Sequence, residues 1–206
     1  NLLNQVYMAR RNDHTHQEIR NMALDNVKVF LNEHSHHELS LRKLAKSIGY
    51  VPSTLVNIFG SYNLLLLRSI AQTLDELMLQ VNQELDNSAT PEEALKAIAY
   101  CYYGFAQRHP NRWKLVFQHN MNGEELPDWQ ENRINQMMTV LEEIMKTINS
   151  HKSDSDVEKS SRVIWASVHG ITLLSLDDLL FSSTPIDGHL LIDNLLLNYI
   201  NQWKQH

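Results

Sequence analysis

Along this chain apolar residues return every third or fourth position, with polar residues between them. Strict alternation is nearly absent, so the pattern predicts helices and not strands. Thr15 followed by Glu18 forms a capping box. Ile19, Met22, Ala23, Val27, Phe30 and Leu31 then predict a first helix over 16–33. Ser40 caps a second, whose inward face is Leu41, Leu44, Ala45 and Ile48, and Gly49 ends it. Pro52 opens a third as its first residue. Leu55 and Phe59 of that helix are expected to point inward, and Ser53, Thr54 and Asn57 outward. Ser61 caps a fourth, running to about residue 86 on Leu67, Ile70, Leu74, Leu77, Val81 and Leu85.

Five more helices follow. Thr90, Pro91 and Glu93 start the fifth, which carries Tyr100, Tyr102, Tyr103 and Phe105 and ends near Arg108. Pro110 breaks the chain and opens a sixth to about residue 119, with Trp113, Leu115, Val116 and Phe117. The seventh, over 128–149, has the stripe Ile134, Met137, Met138, Leu141, Ile144, Met145 and Ile148. Ser155 with Glu158 is expected to cap the eighth, which runs to about Phe181, and a Leu-rich ninth spans 188–204. The expected fold is all-α: a three-helix head at residues 1–62, joined by a long helix to a helical body at 63–206.

Residues 41–66 hold two short helices around a Gly turn. That is a helix-turn-helix, a unit that places its second helix in a DNA major groove. Charge supports the reading only after division. The whole chain carries −6. Residues 1–70 hold Arg10, Arg11, Arg20, Lys28, Arg42, Lys43, Lys46 and Arg68 against Asp13, Glu18, Asp25, Glu33 and Glu38, a net of +3, which leaves −9 on the remainder. A mildly basic head on an acidic body suits a DNA-contacting module on a regulatory domain. Arg10 and Arg11 belong either to an arm reaching DNA or to a frayed terminus.

The composition, 43% apolar and 20% charged, supports a packed core. Cys101 is the single cysteine, which excludes an intramolecular disulfide and fits a reducing compartment. No apolar run is long enough to span a membrane and no signal peptide is visible, so the expectation is a soluble cytoplasmic protein. No Gly-rich phosphate loop, HExxH, GxSxG or CxxC occurs. Glu142-Glu143 and Asp177-Asp178 are adjacent pairs that do not share a helix face. His34, His36 and His37 lie in one loop, where an exposed His-containing turn is favoured over a metal site. Neither catalysis nor a cofactor or metal is expected.

The first helix, the segment LRKLAKSIG, a third helix ending in Phe59 and an immediate return into a Leu-rich helix together resemble the TetR family of transcriptional regulators. The resemblance covers about residues 16–66. A second match is Trp165-Ala166-Ser167-Val168-His169-Gly170, which resembles the WHG type of TetR-family C-terminal domain. Three positions depart from the family pattern. Val56 stands where Tyr is usual, Ile58 where His is frequent, and Tyr62 where a phosphate-contacting Lys is common.

The resemblance implies a homodimeric, ligand-responsive regulator of double-stranded DNA, most often a repressor released from a palindromic operator by a small molecule. Expected DNA contacts are Arg42, Lys43, Ser53, Thr54, Asn57 and Tyr62. Tyr102, Tyr103, Phe105, Phe117, Met137, Met138, Trp165 and His169 are candidates for an effector pocket suited to an apolar or amphipathic ligand, and are equally good core residues. Gly170, Leu173, Leu191 and Leu195 are candidates for the dimer interface, against a reading in which the last helix docks only on its own core. His169 is either a ligand contact or a buried structural histidine. The competing function is a helical protein-binding or scaffold module with little DNA affinity.

Overall fold

The computed structural model describes residues 14–205, so Arg10 and Arg11 lie outside the described residues. Among those described, nine α-helices and one 3-10 turn form the fold, with no strand. They are α1 (His16–Glu33), α2 (Leu41–Ser47), α3 (Pro52–Phe59), α4 (Tyr62–Asn87), α5 (Pro91–Arg108), α6 (Pro110–Gln118), α7 (Asp128–Ile148), α8 (Asp154–Leu176) and α9 (Gly188–Lys204). The all-α expectation holds. The described chain separates into two compact units after Ser69.

In the first unit, Thr15 and Glu18 close the capping box of α1. The loop holding His34, His36 and His37 folds into a 3-10 turn, His36–Glu38, with its own capping box between Ser35 and Glu38. α2 ends in a Schellman motif. Gly49 has φ +80°, its N–H reaches Lys46 O at 3.2 Å, and Tyr50 N–H reaches Ala45 O at 2.8 Å. Ile19, Ala23, Leu24, Val27 and Leu31 of α1 are buried with Leu44 and Ala45 of α2 and Leu55 and Ile58 of α3. Ile58, one of the three departures from the family pattern, is core. Phe59 is only half-buried and takes the Arg20 guanidinium 5.5 Å from its ring centre. Arg20 also donates to Ile58 O at 3.0 Å, which satisfies one of the orphan carbonyls ending α3.

In the second unit one core joins Leu77 and Val81 of α4 to Leu95, Ala99, Tyr102 and Phe105 of α5. Trp113 of α6, Leu141 and Met145 of α7, Ile164 and Val168 of α8, and Ile192, Leu196 and Trp203 of α9 complete it. Two reciprocal bonds lock the ends of α7 and α9: Trp203 Nε1–H donates to Met145 O at 3.0 Å, and Asn149 Nδ2–H donates to Trp203 O at 2.9 Å. Arg112 of α6 is buried. It donates to Glu76 at 2.9 Å and to Thr73 Oγ1 at 3.3 Å, both on α4.

Three expectations change here. Ser153, not Ser155, caps α8 by accepting from Asp156 N–H at 3.1 Å, because the chain turns helical two residues earlier. α8 stops at Leu176 and does not reach Phe181. Asp178 takes φ +54°, and Leu179 N–H bonds Leu174 O at 2.8 Å, a second Schellman motif with Asp in the glycine position. Ile134, placed on the buried stripe of α7, is exposed, as are Leu190 and Leu197 of α9. The inward face of α9 is instead Gly188, Ile192, Leu196, Ile200 and Trp203.

Leu55 is fully buried, so Leu55→Ala should cost about 3 kcal/mol through lost burial and the cavity left behind. Val29 is 65% exposed, so Val29→Ala should stay within about 0.5 kcal/mol. Urea unfolding followed by circular dichroism measures both, and equal shifts would contradict this core.

Candidate DNA-contact face and effector site

The outward side of the helix-turn-helix is built by two short helices held at a fixed angle by the Gly49 turn. Arg42, Lys43 and Lys46 of α2 are exposed, as are Ser53, Val56 and Asn57 of α3. Thr54 is half-buried. Lys43 Nζ donates to Glu38 O at 2.7 Å, which holds that cation over the 3-10 turn. Val51 and Val56 are 60% and 37% exposed. Sequence reasoning treated Val56 only as a departure from the family. It lies exposed on α3, an apolar side chain beside Ser53 and Asn57.

Tyr62 is different. Its hydroxyl is shielded from solvent and has no hydrogen-bond partner among the described residues, and burial pushes its pKa up to about 12. In this conformation it presents no hydroxyl to a phosphate. Of the two alternatives for Tyr62, a hydroxyl contact in place of the Lys or a weaker hold on DNA, the shielded oxygen favours the second.

In the second unit three of the eight pocket candidates come together around a fourth, His169. Its ring lies 4.5 Å from Phe117, edge to face, and 5.6 Å from Trp165. The Tyr102 hydroxyl lies 2.7 Å from its Nδ1. Trp113, not among the candidates, stacks on it with centroids 5.0 Å apart and planes 24° apart. The signal for Trp113 was present in the spacing: Trp113 and Phe117 are i, i+4 on α6, as Trp165 and His169 are on α8. Desolvation lowers the His169 pKa, which favours the neutral imidazole. Burial raises that of Tyr102. Trp165 and Phe117 stay 39% and 38% exposed, so the cluster opens to the surface through them.

The other four candidates lie elsewhere. Tyr103 packs against α9, where a Cβ on Gly188 would come within 2.5 Å of its ring, and His189 meets it edge-on at 4.8 Å. Phe105 is core, flanked by His109 at 4.9 Å and by the Arg112 guanidinium at 5.7 Å. Met137 and Met138 pack from α7 against the core. Met138 also edges a surface groove with Glu142, Glu158 and Arg162.

On α8 and α9 several apolar side chains face solvent. They include Val163, Ala166 and Leu174 on α8 with Leu190 and Leu197 on α9. Gly170 lies on the same side of α8, seven residues from Val163, and a Cβ there would meet nothing within 4 Å. Leu173 and Leu195 are instead partly buried against their own core, and Leu191 is half-buried. Among the described residues no three His, Cys, Asp or Glu side chains converge as metal ligands, and no helix is long and apolar enough to cross a membrane.

A sequence profile described as the tetracyclin repressor-like, C-terminal domain matches residues 95–198. No curated protein matches the chain. Several solved structures share the fold. A protein of unknown function from Rhodococcus sp. RHA1 has a TM-score of 0.76 at 17% identity, over 95% of this chain and 100% of its own. AibR in complex with isovaleryl coenzyme A and operator DNA has a TM-score of 0.61 at 14% identity, over 87% and 96%. BioQ with its natural double-stranded DNA operator has 0.63 at 17% identity, over 94% and 100%. The profile spans half of the chain, from the first turns of α5 into α9, across the aromatic cluster and the exposed apolar side chains just described, and by that match the chain belongs to the TetR family of transcriptional regulators.

Proposed function

We propose that the protein is a homodimeric regulator that holds a palindromic operator through residues 1–62 and releases it when a small molecule binds residues 63–206. It would act as a repressor. The observation carrying this reading is the exposed face of α3, where Ser53, Val56 and Asn57 stand beside the cations of α2 in a head closed by the Gly49 turn. Short hydrogen-bonding side chains and one apolar contact read base edges, while Arg42, Lys43 and Lys46 meet phosphates. AibR and BioQ, which share the fold, were both solved on operator DNA.

Two heads require two copies. The exposed apolar side chains from Val163 to Leu174 and from Leu190 to Leu197 support self-association through a two-fold axis, each helix pair meeting its equivalent. A small molecule that binds one body conformer better than another shifts the population by that differential affinity. The cluster around His169 is where such a molecule would bind. A neutral imidazole held by Tyr102 and packed between rings suits recognition and leaves no base free for chemistry.

A second reading, a helical scaffold with little DNA affinity, draws on the closed Tyr62 hydroxyl and the net charge of −6. Salt separates the two. Binding to operator DNA falls steeply as salt rises, whereas a scaffold shows no binding to any promoter fragment even at low salt.

Arg42→Ala should weaken operator binding about uniformly across sequences and lower the salt slope by about one. Asn57→Ala should also change base preference at one position of each half-site, by roughly 1–3 kcal/mol. Gel-shift titrations against an operator selected from random DNA measure both, and two unchanged affinities would show that α3 is not the reading helix. Leu197→Asp should convert the dimer to monomer, because it sets a charge at 63% exposure among these apolar side chains. Sedimentation velocity reads this directly, and an unaltered coefficient refutes the interface.

A further inference from the structure

The neighbours of His169 fix which of its nitrogens carries the proton. Tyr102 is buried, and its hydroxyl makes one hydrogen bond among the described residues, with His169 Nδ1 at 2.7 Å. The Trp113 indole N–H faces the same oxygen closely enough to oppose the rise in the Tyr102 pKa. It does so without completing a full hydrogen bond. An indole N–H can only donate. Were Nδ1 protonated as well, the phenol proton would be left buried with no acceptor. Tyr102 therefore donates to Nδ1. A neutral imidazole with its lone pair on Nδ1 carries its proton on Nε2.

That Nε2–H meets no polar side chain among the described residues. The imidazole ring has the Phe117 ring 4.5 Å away and the Trp165 ring 5.6 Å away, centre to centre, and both are more than a third exposed. The cluster is Tyr, Trp, Phe and His throughout, with no formal charge to balance an anion. Trp165 and Phe117 offer flat faces on which an aromatic ring can stack.

We propose that His169 Nε2–H is the polar anchor of this site, and that the molecule it takes is a planar aromatic with a neutral carbonyl oxygen, its ring seated against Phe117 and Trp165. The assignment rests on the effector-responsive reading given above and narrows its ligand class. Specificity is one-directional. A ligand presenting a donor at this point meets a donor, and a ligand presenting hydrocarbon leaves Nε2–H unpaired.

The test uses two probes of nearly equal shape, 2-acetonaphthone and 2-isopropylnaphthalene, titrated into the full chain and followed by tryptophan fluorescence. The ketone should bind about tenfold more tightly, the equivalent of one net hydrogen bond. His169→Phe keeps a ring in place, removes the donor and should reduce that preference to about one. Because a core variant can fail for other reasons, a long-range proton–nitrogen NMR spectrum of the unmodified protein gives an independent readout, in which His169 should show the Nε2–H tautomer. Equal binding of the two probes, binding of neither, a preference that survives in His169→Phe, or an Nδ1–H tautomer would each overturn the proposal. Operator affinity measured with the ketone present separates the two ideas. Ketone preference without any change in operator binding leaves the site standing and removes the regulator reading; lost preference with intact operator binding does the reverse.

Discussion

A guanidinium buried to 3% exposure must be fully paired or it destabilises everything around it. Arg112 meets that demand by joining α4, α5 and α6: Glu76 and Thr73 take its protons and the Phe105 ring lies beneath it. Two more arginines converge on the same stretch of α4. Arg133 of α7 grips Asp75 through two nitrogens, at 2.7 and 3.1 Å, and Arg108 of α5 reaches Gln80 at 2.8 Å. The polar side of α4 is thus held by directional bonds and its other side by Leu77 and Val81. Directional bonds have discrete geometries, so an element held this way changes position in steps more readily than by gradual deformation.

α6 also carries two rings of the His169 cluster, Trp113 and Phe117. Arg112 and Trp113 are neighbours on a nine-residue helix. One points to α4 and the other to His169. A displacement of Trp113 or Phe117 on that short helix therefore acts on the pairing of Arg112, with no intervening element. The short α6 thus joins the His169 cluster to the paired side of α4 within the second unit.

Most of the helices were legible because their boundaries are marked by local chemistry. Thr15, Ser40, Thr90 and the prolines at 52, 91 and 110 all do in the structure what their residue types predict. Gly49 was readable as a left-handed stop for the same reason. Asp178 was not, since an aspartate in that conformation leaves no residue-type signal and the apolar run through Leu179–Phe181 carried the expected helix too far. Helix faces were harder. α9 has leucines all round, so periodicity could not separate Ile192 and Leu196, which face the core, from Leu190 and Leu197, which do not. The effector cluster was half legible, because i, i+4 spacing pairs Trp165 with His169, but which rings of α5 and α6 meet them depends on tertiary packing. The arginine clamps on α4 were invisible, since a charged residue on a helix reads as solvated until its partner is placed.

The segment between α8 and α9 has a consequence of a different kind. Phe181 is 88% exposed at φ +49°, with Leu179 and Ile186 exposed beside it. An aromatic on an open loop is what a chymotrypsin-like protease cleaves first. A single cut there would leave α9 without its covalent tether but with Ile192, Leu196, Ile200 and Trp203 still seated, and with the bonds between Trp203 and the end of α7 intact. The nicked molecule would be a two-fragment complex, and the last helix could be exchanged for a synthetic peptide carrying any chosen substitution or label.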